Sequence, residues 1–283
     1  FTAGSSSGSF ATVNVPDGYT FDQSTGRLSY TSTYRTSTDV NLSATSVPTN
    51  ANLDVNAGTL VINENKTLNN LTVAPAAKVT LNSGVSLTTS SVTLQSSGSG
   101  TATFVDADAT GTAISATVQQ YLPTGRNWYV GIPVTDGSSV PYSALTAAGA
   151  SSVSYWDEAN GAWVNGYTGN LTRGRGYIAV SNAASTASNI SFSGTLNTGD
   201  VSVHLTRTVG KTKEGFNLIA NPYPSYLNAM TAINVDTTKV YPTIWYRTKS
   251  GAYSFETVNS SSGVGTNGVT GYIPPMQAFW IRV

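Results

Sequence analysis

Between residues 51 and 115 the chain is written in short runs in which apolar and polar residues alternate. They are Leu53-Asp54-Val55, Thr59-Leu60-Val61-Ile62, Leu71-Thr72-Val73, Val79-Thr80-Leu81, Val85-Ser86-Leu87, Val92-Thr93-Leu94 and Ala102-Thr103-Phe104-Val105. Asn-Ala-Gly, Asn-Ser-Gly and Ser-Ser-Gly-Ser-Gly separate them. A period of two puts the Val and Leu of each run on one face of a strand. Strands this short, turning at Asn/Gly corners, suit a parallel β-helix in which each coil stacks its apolar residues on the next. The alternative is an antiparallel sandwich, whose strands usually run about five to six residues; the shorter runs favour the solenoid.

Beyond residue 115 the pattern changes to a duplicated aromatic skeleton. Trp128-Tyr129-Val130-Gly131-Ile132-Pro133, then Tyr155-Trp156 before Gly161-Ala162-Trp163, then Gly176-Tyr177-Ile178-Ala179-Val180 form one copy. Phe216-Asn217-Leu218-Ile219-Ala220-Asn221-Pro222, Trp245-Tyr246 before Gly251-Ala252-Tyr253, and Phe279-Trp280-Ile281-Arg282-Val283 form the other. Tyr155 and Trp245 lie 90 positions apart, as do Gly161 and Gly251, which equates Trp163 with Tyr253. The copies share rings, glycines and prolines but no acid, base or metal ligand, so a structural module is repeated rather than an active site. The fold class expected is all-β: a β-helix-like segment over 1–115, then two related antiparallel β-sandwich lobes over 116–200 and 201–283. The alternating runs flanking Asn197-Thr198-Gly199-Asp200 read as a hairpin joining the lobes. Alternation also puts Trp128, Val130 and Ile132 on one face, read as the core face, with Trp128 as its largest anchor.

Charged residues make up 10% of the chain, against roughly 25% in ordinary soluble domains. Ser, Thr, Asn and Gly take their place, which favours strands over helices. The 14 basic and 14 acidic residues cancel and form no basic cluster, which argues against a nucleic-acid partner. Cysteine is absent, so disulfides and thiolate chemistry are excluded. No run reaches the roughly 18 apolar residues of a membrane-spanning helix. The chain begins at Phe1 and ends within a strand pattern at Val283, as expected of a processed product or of a fragment with flanking domains, and the interrupted strand pattern favours the fragment.

Candidates for chemistry are few. His204 is the only histidine, and its alternation with Val203 and Leu205 places it outward on a strand rather than in a triad. Asp157, Glu158, Asp200, Glu214 and Glu256 could serve a glycosidase, but nothing in the sequence pairs them, and they read as solvated turn residues. Asp106-Ala107-Asp108 lacks the Gly and Glu of a calcium loop and reads as a polar turn. No cofactor or metal is expected. The aromatics offer a sugar-stacking alternative. In a strand, adjacent residues face opposite ways, so one ring of each pair is left for the surface or an interface. Trp156, Tyr167 and Tyr246 are the candidate ligand-binding residues. Asn217 and Asn221, beside Pro222-Tyr223-Pro224, read as turn residues that satisfy backbone groups.

The segment Gly215-Phe216-Asn217-Leu218-Ile219-Ala220-Asn221-Pro222-Tyr223-Pro224 resembles the GWNLVGNPYP element of large secreted and surface proteins of Bacteroidota exported by the type IX (Por) secretion system. Asn127 to Val134, Phe192 to Val203 and Gly271 to Val283 are similar to three further elements of that family. The resemblance covers about the last 165 residues, and the sorting domain that follows in the family is missing here. It implies an extracellular or outer-membrane-attached location, and no catalytic residues belong to these motifs. Asp236-Thr237-Thr238 is similar to the short motif on which Bacteroidota attach O-glycans. The function expected is a non-enzymatic stalk or adhesion module, with glycans or other surface proteins as partners. The alternative is a carbohydrate-binding module or a non-catalytic part of a carbohydrate-active enzyme.

Overall fold

The computed structural model describes residues 19–22, 24–25, 27–30, 32–44, 46–107, 113–123, 127–135, 141–181, 188–233, 236, 238–250 and 252–283. The chain is nearly all β, and its N-terminal part is a parallel β-solenoid of about 4 turns. A hairpin of β1 (Tyr19–Asp22) and β2 (Arg27–Tyr30) comes first. The coils follow as β3 (Thr33–Thr36), β4 (Val40–Asn41), β5 (Asn52–Val55), β6 (Thr59–Ile62), β7 (Lys66–Val73), β8 (Lys78–Leu81) and β9 (Leu87–Leu94). A small β10 (Ser96–Ser97) and β11 (Gly100–Thr101) ribbon leads to β12 (Thr103–Asp106) and β13 (Ser115–Leu122). Strands β3, β5, β7, β9 and β13 pair successively and in parallel in one sheet, and β4, β6, β8 and β12 do so in a second.

The short runs form coils because equivalent residues stack. Thr36, Val55, Val73, Leu94 and Val118 make one ladder, and Val40, Leu60, Val79 and Phe104 another. Nearly every apolar rung is buried, and the stacked rungs hold the stack together by excluding water. Leu68 and Leu71 are both buried although three apart, because β7 turns a corner between them. At that corner the Asn69 and Asn70 side-chain amides donate to Asn52 Oδ1 at 2.9 and 3.1 Å, linking adjacent coils. Gly58 turns another corner at φ +72°, where a Cβ would sit 2.6 Å from the Thr38 carbonyl carbon.

The rest of the chain forms β14 (Trp128–Val130), a short helix α1 (Ser143–Ala147), β15 (Ala150–Asp157), β16 (Ala162–Asn165), β17 (Tyr177–Ser181) and β18 (Ser188–Thr195). Then come β19 (Phe216–Ala220), β20 (Leu227–Asn228), α2 (Ala229–Ala232), β21 (Thr243–Ser250), β22 (Ala252–Asn259), β23 (Tyr272–Ile273) and β24 (Ala278–Arg282). Asn228 caps α2 by accepting from the Met230 amide. Strand β18 does not pair with the segment after Gly199, as a hairpin across 190–205 would require. It lies antiparallel on the outer edge of β13, with Phe192 opposite Val118, while 201–208 carry no strand pairing. The solenoid sheet therefore extends past residue 115. The second sheet ends differently: the Phe104 amide on β12 donates to the Pro224 carbonyl at 2.9 Å.

Each lobe contributes one four-stranded antiparallel sheet, in the orders β14-β17-β15-β16 and β19-β24-β21-β22. The first sheet turns Val130, Val153, Tyr177 and Ala179 toward the solenoid core. Its other face places Tyr129, Ile178, Trp156 and Trp163 against Leu218, Ala220, Trp280, Phe216 and Trp245 of the second sheet. The far face of the second sheet buries Ile244, Tyr246, Val258 and Phe279 under α2. The repeated rings thus fill a layer between the lobes. Trp128 is only half-buried and its indole donates to the Pro123 carbonyl, so it is not the principal anchor; Val130 and Ile132 on the same face are buried as expected.

The duplication is a pseudo-two-fold at the level of single hydrogen bonds. The Gly131 amide donates to the Met276 carbonyl at 2.7 Å, and the Ala220 amide to the Gly174 carbonyl at 2.9 Å. Val130 bridges Gln277, and Ile219 bridges Arg175. Met276 and Gly174, at equivalent positions, both adopt left-handed backbone (φ 58° and 77°). Gly131 meets its own counterpart across the axis, where a Cβ would lie 2.2 Å from that of Ala220. Strand pairing corrects the middle landmark. Ile178 opposes Ser154, and its counterpart Trp280 opposes Trp245, so Tyr155 corresponds to Tyr246, a shift of 91 rather than 90. Trp163 opposes Trp156 as Phe255 opposes Arg247, which makes Phe255, not Tyr253, the partner of Trp163. The side chain of Tyr253 lies outside the described residues, as do Thr237 and Asp108.

Candidate functional site

Where the two sheets meet, their shared aromatic layer opens to solvent in a cleft of about 410 Å³. Trp280, Trp163 and Tyr129 line it, with half-exposed Phe255 beside them. The rings meet edge to face, with Trp163 and Trp280 centroids 5.7 Å apart and Tyr129 and Trp280 6.3 Å apart, the arrangement aromatic quadrupoles prefer. Two cations join them. The Arg247 guanidinium stands 5.6 Å from the centre of the Tyr129 ring, and Lys213 Nζ stands 5.7 and 6.0 Å from those of Trp156 and Trp280. Asn127, Ser154 and Asn165 add polar groups, and Ser154 Oγ donates to Asn165 Oδ1 at 2.9 Å.

The loop that carries Lys213 is tied down by Glu158, an acid whose place in a turn predicts a solvated side chain. Glu158, in the β15–β16 turn, is buried, and its Oε1 accepts from the Thr208 and Gly215 amides at 2.8 and 2.9 Å. Its Oε2 accepts from the Thr208 hydroxyl at 3.0 Å. One side chain thus pins both ends of the 208–215 loop, and Lys213 sits within it at φ 54°. Burial pushes the Glu158 carboxyl up, but the hydrogen bonds from Thr208, Gly215 and Thr206 outweigh it and hold it below the usual range. A depressed carboxylate stabilises the fold above its ordinary value, and that contribution is lost as pH falls through the folded value. Glu158→Gln is therefore expected to lower stability at pH 7 by about 1–3 kcal/mol, because the two backbone donors would then bond a neutral carbonyl in place of a carboxylate and the new NH2 would face the Thr208 hydroxyl that Oε2 accepts from. Melting temperatures measured from about pH 7 down to pH 3 should fall less steeply below about pH 5 in the variant than in the parent. Parallel curves would mean that Glu158 is not the anchor.

The candidate ligand-binding residues are not brought together. Trp156 packs in the layer between the lobes, 5.5 Å from Trp163. Tyr167 lies against the solenoid core, stacked 5.9 Å from Tyr177, and its hydroxyl donates to the Asn170 carbonyl. Tyr246 is buried on the far face of the second sheet, where burial pushes its phenol up. These are three different layers, so the three rings form no common platform. Alternation reveals which neighbours diverge, but not what each face meets.

The other candidates are placed as follows. His204 is exposed on a segment without strand pairing. Glu214 accepts from the Gly210 amide and from Arg207, and Glu256 accepts from Asn267, Thr266 and Ser254; these bonds lower both carboxyls. Asn217 bridges the Thr206 and Gly215 carbonyls, and Asn221, fully buried, donates to those of Ser225, Ile273 and Pro274, which agrees with their expected role as turn residues. The motif at Pro222-Tyr223-Pro224 meets the one around Asn197. Asn197 Nδ2 donates to the Pro222 carbonyl at 2.7 Å, and the Tyr223 hydroxyl donates to the Gly199 carbonyl. These loops line a groove of about 750 Å³ where the second lobe joins the solenoid. Among the described residues no helix is long and apolar enough to cross a membrane, and no group of three metal-ligating side chains occurs.

Solenoid, pseudo-symmetric sheets and cationic aromatic cleft together define a β-solenoid module closed by an internal pseudo-dimer. The chain belongs to the family described as Domain of unknown function (DUF8693), whose model matches residues 31–282. No curated protein and no solved structure matches the chain.

Proposed function

We propose that this chain is a non-enzymatic module, a stalk or adhesive segment, of an extracellular or outer-membrane-attached protein exported by the type IX system of Bacteroidota. What carries this reading is the employment of its carboxylates. A glycosidase needs one carboxyl pushed up to act as general acid beside a second one. Glu158, Glu214 and Glu256 are instead all pulled down by protein donors that they hold in place. The stacked coils also suit a rigid spacer, since each coil contacts only its neighbours and the length grows with their number. The location rests on the resemblance of Gly215 to Pro224 and its companion motifs.

A second reading, a glycan-binding module, is favoured by the cleft between the sheets, where rings and hydrogen-bonding side chains converge. In both readings the chain turns over no substrate. Incubation with a panel of polysaccharides and peptides is expected to release no product. Reproducible hydrolysis abolished by Glu256→Gln or Asp200→Asn would overturn the non-enzymatic reading.

A further inference from the structure

We infer that the groove where the second lobe joins the solenoid binds an extended peptide strand of another protein, one in which apolar and polar residues alternate beside a Lys or Arg. The groove shares no lining residue with the cleft between the sheets, so it is independent of the glycan-binding reading. Its volume, about 750 Å³, lies in the roughly 300–1,000 Å³ range of ligand sites. Ile219 on β19, Leu227 on β20 and Ile233 after α2 line it and keep part of their surface open above the buried core of the second lobe. The segment that follows Gly199 borders the groove as well, and it gives the class of ligand.

From Val201 to Thr208 the chain runs without turn, bend or strand pairing. Side chains tie it at both ends. The Tyr223 hydroxyl donates to the Gly199 carbonyl, while Asn217 Oδ1 accepts from the Thr206 amide at 3.1 Å and its Nδ2 donates to the Thr206 carbonyl at 2.9 Å. Between those ties the backbone groups of Ser202, Val203, His204 and Leu205 have no hydrogen bond among the described residues. Val203 backs the span by packing on Gly174, where a Cβ would lie 2.6 Å from Val203 Cγ2. What results is a short strand edge, fixed before any ligand arrives, with donors and acceptors for one more strand. A peptide paired there turns every second side chain the same way, so alternating apolar residues can cover Ile219, Leu227 and Ile233 while polar ones face water. Charge adds a further requirement. Asp200, at the start of the span, is exposed, its carboxylate has no hydrogen bond or ion pair among the described residues, and no Lys or Arg lines the groove. A cation on the peptide is its complement.

The test is calorimetric titration of the whole chain with capped hexapeptides of alternating Val and Thr that carry one Lys at either end. Each is compared with two N-methylated forms, one blocking the amides at odd positions and one those at even positions, because only one set faces the strand being joined. At least one peptide is expected to bind, and one of its methylated forms to bind about tenfold or more weakly than the other. Ala232→Trp, which adds a large ring at an exposed lining residue, should abolish binding with melting unchanged. Asp200→Asn should remove the preference for Lys over a Gln at the same place. Silence of the whole panel at millimolar concentration would overturn the inference. Equal binding by the two methylated forms would show that no strand is added, and binding kept in Ala232→Trp would place the site elsewhere; either overturns it. A Lys preference kept in Asp200→Asn would overturn the role of the charge. Sedimentation of the chain alone separates the remaining occupant: a dimer that Ala232→Trp dissolves would put a second copy in the groove and overturn the inference too.

Discussion

Trp280→Ala is expected to cost about 3–5 kcal/mol, the range for a buried aromatic whose cavity relaxes only in part. Trp280 sits at the centre of the layer between the two lobes. Its ring meets those of Tyr129, Trp156, Trp163 and Phe216 with centroids 6.3, 5.8, 5.7 and 6.4 Å away. Three of those rings belong to the first lobe and one to its own, so truncation both opens a cavity and loosens the joint between sheets. Equilibrium urea unfolding measures the loss, and the near-ultraviolet dichroism of the clustered indoles should collapse with it. A variant as stable as its parent would show that the layer between the lobes does not hold them together.

Gly131→Ala is expected to destabilise by about 3 kcal/mol, at the upper end of overpacking costs. The new methyl would lie 2.2 Å from the Ala220 Cβ, and the strands cannot part without stretching the bonds from the Gly131 amide to Met276 and from the Ala220 amide to Gly174. Because the clash is between equivalent positions, moving the methyl from one half to the other removes it. The double variant Gly131→Ala with Ala220→Gly should recover most of the loss, giving a large favourable coupling energy in a double-mutant cycle. Additive effects would rule out direct contact across the axis.

The solenoid and the duplication were both legible in the sequence because each depends on local residue type. Val and Leu at alternate positions between Asn/Gly corners can bury themselves only by stacking, and the stacking ladders run through those residues. What escaped was pairing over distance. The 190–205 segment carries two alternating runs around a good turn, yet the partner of 188–195 is β13, far earlier in the chain. The spacing of 90 matched rings to rings, whereas strand register matches Trp245 to Ser154, a residue with no ring at all. Glu158 looked like any turn acid, because the donors that bury it come from Thr208 and Gly215, some fifty residues on. The cleft has no sequence signature, since Lys213 and Arg247 reach it from separate elements.

A stack of parallel strands is also a template. Its last rung offers unpaired amides and carbonyls in the register that a further rung, or another molecule, would need. At the end of this solenoid both last rungs meet chain that does not repeat them: β13 meets the reversed strand β18, and the Phe104 amide of β12 meets the carbonyl of Pro224, which like Pro222 has no amide to offer in return. The C-terminal half therefore does more than follow the solenoid. It ends the parallel repeat of an architecture that could otherwise propagate from molecule to molecule as a fibre, and on one of the two sheets it does so with the Asn-Pro-Tyr-Pro segment that gives the sequence its most recognisable signature.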